Sequence, residues 1–178
     1  GSVMLVAHHV EATFGDVTIT NVEPITDSFN ACTIDEALWS RSVPAGASLA
    51  ATGYEAALLA QAGMSHDTGS GGNTVGDVPR ISQTTNDIDL DMETRFFSEV
   101  DTSGDQQGFL LEEDDNDFIR VAVLRDGATI KIQAHSFAAG AATQEFSKNI
   151  NINATPAYLR VSRTDDNFQV DYSFDGFD

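Results

Sequence analysis

Apolar and polar residues alternate one by one along much of this chain, and no other feature restricts its fold as strongly. Alternation of this kind gives a strand one apolar and one polar face, because successive side chains point to opposite sides of a pleated backbone. Val10, Ala12 and Phe14 alternate with Glu11 and Thr13, and Val17 and Ile19 with Thr18 and Thr20. Ile88, Leu90, Met92 and Phe96 alternate with Asp87, Asp89, Asp91, Glu93 and Arg95. The period returns in Ile119, Val121 and Val123, in Ile130 and Ile132, in Leu159 and Val161, and in Val170, Tyr172 and Phe174. Turn-forming residues separate these runs. Asp126-Gly127 predicts a tight hairpin, Asp165-Asp166-Asn167 a second one, and Thr102-Ser103-Gly104-Asp105 leads into Gln107. Many short antiparallel strands at such intervals predict an all-β chain, a two-sheet antiparallel jelly-roll sandwich. The alanine-rich stretch Tyr54–Ala62 fits helix or strand equally, and the glycine-rich Ser65–Val78 reads as the longest loop. The 178 residues suit one domain over 3–178, with Gly1 and Ser2 read as a remnant of tag removal.

Charge narrows the partners. The formal net charge is −19, from 28 acidic residues against nine Lys and Arg. Such a surface repels phosphate backbones and anionic headgroups, which excludes nucleic acid and acidic membranes as partners. No apolar run approaches the roughly 18 residues of a membrane-spanning helix. The acidity and the scarcity of lysine (Lys131 and Lys148) point to a salty, marine or halophilic setting, where screening makes self-repulsion cheap. Cys32 cannot form an internal disulfide, and its neighbours Phe29 and Ile34 predict a buried structural thiol. His8, His9, His66 and His135 are too dispersed for a zinc site.

Several segments together resemble a known family. They are Asp27-Ser28-Phe29-Asn30 followed by Trp39; His66-Asp67 followed by Asn73 and Pro79-Arg80-Ile81-Ser82-Gln83; and Asp89-Leu90-Asp91-Met92-Glu93. Gln107-Gly108-Phe109-Leu110-Leu111, Asp117-Phe118-Ile119-Arg120, Tyr158-Leu159-Arg160-Val161-Ser162-Arg163 and Tyr172-Ser173-Phe174-Asp175-Gly176 follow in order. Over residues 27–178 the chain resembles the bacterial laminin-G-like, concanavalin A-like jelly-roll domains of secreted multidomain proteins. The resemblance implies a non-catalytic, lectin-like, extracellular carbohydrate-binding module of a larger secreted or cell-surface protein, with a glycan or polysaccharide as partner. It leaves two alternatives: a structural or adhesive surface repeat stiffened by calcium, and a laminarinase-like glycoside hydrolase. Residues 3–24 resemble the family's closing strands, which implies a permuted domain or a repeat boundary out of register. Edge strands exposed at both ends would then invite strand exchange or pairing with tandem-repeat neighbours.

Four groups of residues carry candidate chemistry. Arg80 and Arg120 are candidate glycan-binding residues, with Gln83, Gln107, Glu112 and His66 as partners, since sugar sites combine planar polar groups with a few aromatic platforms. Arg160 reads as pairing with carboxylates across strands. Asp87, Asp89, Asp91 and Glu93 share one strand face, and in the hydrolase alternative Asp89 and Glu93 are the catalytic carboxylates. Family 16 glycoside hydrolases carry a Glu-x-Asp-x-Glu pattern there; here aspartate replaces the first glutamate and shortens its reach. The acidic run Glu112–Asp117 offers hard oxygen ligands, so Asp114, Asp115 and Asp117, with Asp27 and Asp175, are the calcium candidates if any cofactor is bound. Trp39, the single tryptophan, reads as a core or rim anchor.

Overall fold

The computed structural model of the chain describes residues 2–8, 11–20, 26–60, 77–85, 88–150 and 154–177. The strands in chain order are β1 (Ser2–His8), β2 (Glu11–Thr20), β3 (Ser40–Ser42), β4 (Ala47–Ala51), β5 (Ala56–Ala60), β6 (Arg80–Thr84) and β7 (Leu90–Phe96). They continue as β8 (Gln106–Glu112), β9 (Phe118–Asp126), β10 (Thr129–Ala138), β11 (Ala141–Ile150), β12 (Tyr158–Thr164) and β13 (Asn167–Ser173). Among the described residues there is no α-helix, and hence none long and apolar enough to cross a membrane. The alanine-rich stretch resolves as strand β5, where Ala56, Leu58 and Ala60 are buried.

Two antiparallel sheets result. One has seven strands in the order β11-β10-β9-β8-β1-β6-β3, the other six in the order β13-β12-β7-β2-β5-β4. Alternation decides which residues each sheet buries. In β7 Leu90, Met92, Thr94 and Phe96 are buried while Asp91, Glu93 and Arg95 face out, and Met92 lies opposite Val161 of β12. In the seven-stranded sheet Phe109, Val121 and Ala134 lie side by side on the buried face, as do Val123 and Ile132. Residues of both sheets, with Phe29 and Trp39, meet in one hydrophobic core. Each large aliphatic or aromatic side chain taken from water there contributes about 1.5–3 kcal/mol.

Hairpins end where the chain can reverse cheaply. Gly127 (φ 59°) starts the two-residue loop between β9 and β10, as a tight hairpin requires at its first central position. Ala139 and Gly140 (φ 50° and 77°) make the loop between β10 and β11. Gly108 has a different constraint: a Cβ on it would stand 2.0 Å from the Val121 carbonyl oxygen, so β8 and β9 approach too closely for any side chain.

Two expectations are corrected. Cys32 is exposed, because residues 26–39 contain no regular strand and an apolar neighbour along the chain does not bury it. The early strands are not edges either. β1 bonds to β6 and β8, and β2 to β5 and β7, so each occupies an interior position in its sheet. The edges are β11 and β3 in one sheet and β13 and β4 in the other. Ser2, read as part of a tag remnant, pairs with Thr84 and Glu112.

Candidate functional site

Cross-strand register places three of the expected binding residues on one face. In an antiparallel sheet, residues directly opposite one another project from the same side. Arg80 and Gly108 both lie opposite Val6; Leu110 lies opposite Arg120, Arg120 opposite His135, and Glu112 opposite Phe118. Arg80, Glu112 and Arg120, each half-buried, therefore share the outer face of the seven-stranded sheet. That face also holds an apolar cluster of Val78, Leu110, Phe118 and Phe137. The Phe118 and Phe137 rings stack with centroids 4.1 Å apart, and the Arg120 guanidinium stands 5.6 Å from the Phe137 centroid. β8 is thus apolar on both faces near its middle, which is why Phe109-Leu110-Leu111 breaks strict alternation.

Burial tunes the charges of this face. It pulls the Arg80 guanidinium down despite the attraction of Glu112, Asp115 and Asp77. It pushes the Glu112 carboxyl up; Arg80 opposes that rise, while Asp115 and Asp114 add to it. Perturbed ionisable groups of this kind concentrate where ligands bind.

Gln83 and Gln107 belong to the other face. Gln83 shares the parity of buried Ile81, and Gln107 that of Phe109, so both amides point into the core, 4% and 0% exposed. Gln107 is satisfied there: its Oε1 accepts from Ser98 Oγ at 2.8 Å and its Nε2 donates to the Ser98 carbonyl at 3.1 Å. Neither is brought to the face that carries Arg80 and Arg120. His66 lies outside the described residues.

The acidic candidates serve turns. Asp114 Oδ1 accepts from the Asn116 and Asp117 amides, closing their own loop. Asp117 Oδ1 accepts from Ala139 N at 3.0 Å and the Asn116 carbonyl from Gly140 N, so this loop braces the turn between β10 and β11. Asp27 accepts from Phe29 N and, at 2.8 Å, from Trp39 Nε1, which anchors the tryptophan in the core. Asp175 Oδ1 accepts from Phe177 N at 3.1 Å in the turn after β13, while Asp115 is an exposed loop residue. Among the described residues no three His, Cys, Asp or Glu side chains converge as a metal site.

The carboxylate row of β7 is partly occupied by structure. Arg160 holds Asp91 with two contacts, Nε to Oδ1 at 2.7 Å and Nη2 to Oδ2, and these raise the guanidinium pKa. Asp89 precedes the strand and accepts from the Asp165 amide at 2.7 Å, tying β7 to the turn between β12 and β13. Glu93 lies four residues on, about 13 Å along an extended chain. Glycosidase carboxylates stand about 5–10 Å apart.

One feature of this sheet was not anticipated from sequence. Glu93, Lys148, Tyr158, Arg160, Asp171 and Tyr172 line most of a pocket of about 400 Å³ at the β13 edge. Its signal was scattered over four strands, and only pairing in register assembles it. Compared with known proteins, the chain matches no family model and no curated protein.

Proposed function

We propose that this chain is a non-catalytic carbohydrate-binding module of the jelly-roll, concanavalin A-like type, working in a larger secreted or cell-surface protein. The sandwich reading is supported by the way the chain passes repeatedly between the two sheets, with β1, β3, β6 and β8 in one and β2, β4, β5 and β7 in the other. The observation that carries the functional reading is the gathering of Arg80, Glu112 and Arg120 from three strands beside the stacked Phe118 and Phe137. A glycan meeting this face would find guanidinium donors and a carboxylate acceptor held by half-buried side chains, with Phe118 and Phe137 (each 5% exposed) packed beneath them as support. The acidity of the rest of the surface suits a saline medium and disfavours polyanionic partners.

A glycan array followed by affinity electrophoresis tests this reading. Arg120→Ala and Glu112→Gln are each expected to weaken retention by about tenfold or more, the scale of a lost charge-assisted hydrogen bond. Unchanged retention in both variants removes this face as the site. A wild-type protein that is retained by no glycan leaves the structural or adhesive repeat as the better account.

A further inference from the structure

Pairing in register brings Glu93, Arg160 and Asp171 side by side across β7, β12 and β13, a row of alternating charge on the outer side of the six-stranded sheet. They line the pocket of about 400 Å³ together with Tyr158, Tyr172 and Lys148, the last contributed by β11 of the other sheet. That volume lies within the roughly 300–1,000 Å³ of small-molecule clefts. We propose that this pocket is a second ligand site, and that it takes a neutral sugar residue with vicinal hydroxyl groups. The inference does not rest on the reading of the seven-stranded face.

The walls are held in place. Arg160 is fixed by Asp91, its diagonal neighbour on the same face. Ser173 Oγ accepts from the Asp175 and Gly176 amides, which folds the following turn back onto the pocket. Gly176 there has φ 83°, and a Cβ on it would meet Tyr158 Cζ at 3.0 Å, so glycine alone lets the turn close over the phenol. Lys148 Nζ stands 4.9 Å from the Tyr172 centroid. Among the described residues, Glu93 and Lys148 have no ion-pair or hydrogen-bond partner.

Charge decides the ligand class. An anion would meet Glu93 and Asp171; a cation would meet Lys148 and Arg160. A flat apolar ligand would strip water from all four without replacing its hydrogen bonds. A neutral polyol serves both signs at once, because each hydroxyl donates to a carboxylate and accepts from an ammonium or guanidinium. The two phenols serve as walls: the Gly176 turn closes over Tyr158, and Tyr172, opposite buried Leu159, packs against the core and carries Lys148 over its ring.

The test is an amide-resolved NMR titration of the full chain with cellohexaose, laminarihexaose, xylohexaose and mannohexaose, with alginate hexamer as the charged comparison. At least one neutral hexasaccharide is expected to give saturable shifts at Lys148, Ser173 and Gly176. Glu93→Gln and Lys148→Ala, both at exposed positions, are each expected to weaken that binding about tenfold, the range of a charged hydrogen bond. Shifts confined to the Arg80, Glu112 and Arg120 face overturn the pocket proposal and leave the other site standing. Shifts confined to the pocket do the reverse. Preference for alginate, pocket shifts insensitive to both variants, or no shift with any oligosaccharide overturns it as well.

Discussion

Glu112 sits where burial and attraction compete. Its carboxyl is lifted above the ordinary glutamate value of 4.5, first by burial and further by Asp115 and Asp114, against the pull of Arg80. A group raised on folding keeps its proton in the folded chain at a pH where the unfolded chain has lost it. Across that window the folded state binds more protons, so this residue's contribution to stability falls as pH rises. Glu112→Gln cannot titrate. The stability difference, variant minus wild type, is therefore expected to grow as pH rises above 4.5 and to level off once folded Glu112 is ionised. Denaturant unfolding at a series of pH values measures it; a flat difference shows that Arg80 cancels the burial. Other residues show how parity could have been read earlier. Gln83 shares its face with Ile81, so alternation along β6 already pointed its amide inward, whereas β8 is apolar on both faces around Phe109-Leu110 and only pairing settles the direction of Gln107. Their polarity suggested ligand contact, but position along the pleat decided their direction.

Turns show the same logic at the level of elements. Ala139 adopts a left-handed φ of 50°, a conformation that costs a residue with a Cβ roughly 1 kcal/mol. Asp117 Oδ1 and the Asn116 carbonyl receive the two amides of that turn and hold it. Asp117→Ala is expected to destabilise the protein by about 1–2 kcal/mol, since Ala139 N loses a charged acceptor. Urea unfolding checks this, and a variant as stable as the parent would show that water replaces the carboxylate at no cost. The strands β7, β10, β12 and β13 were legible in the sequence because apolar and polar residues alternate along most of each, and β9 because Asp126-Gly127 marks its end although Val121–Leu124 are apolar in succession. β3, β4 and β5 were not, because three residues carry no period and alanine fits either helix or strand. The face bearing Arg80, Glu112 and Arg120 was half legible: the residue types stood out, whereas only the pairing of β1 with β6 and β8, and of β8 with β9, puts all three on one side of the sheet.

Across the whole molecule the excess of 28 acidic over nine basic residues must be borne by the folded surface. Ion pairs such as Arg41–Glu36 and Lys131–Asp126 neutralise little of it. Self-repulsion acts over a screening length of about 10 Å at 0.1 M salt and 3 Å at 1 M. Sodium chloride is therefore expected to raise the melting temperature, by about 2–4 °C for every kcal/mol of repulsion screened. Calorimetry from 0.05 to 1 M would show it, and a melting temperature that is flat or falling with salt contradicts it. The interior positions of β1 and β2 have a consequence for how the chain is made. Its first twenty residues supply a strand to the middle of each sheet, yet the last partner they need, β8, ends at Glu112. During synthesis β2 gains its first partner, β5, at Ala60 and its second, β7, at Phe96, whereas β1 gains β6 at Thr84 and β8 only at Glu112. Both sheets then grow outward from a seam between the earliest residues and much later ones, a long-range closure that slows folding. Shortening the chain from its beginning would split each sheet down its middle instead of trimming a border.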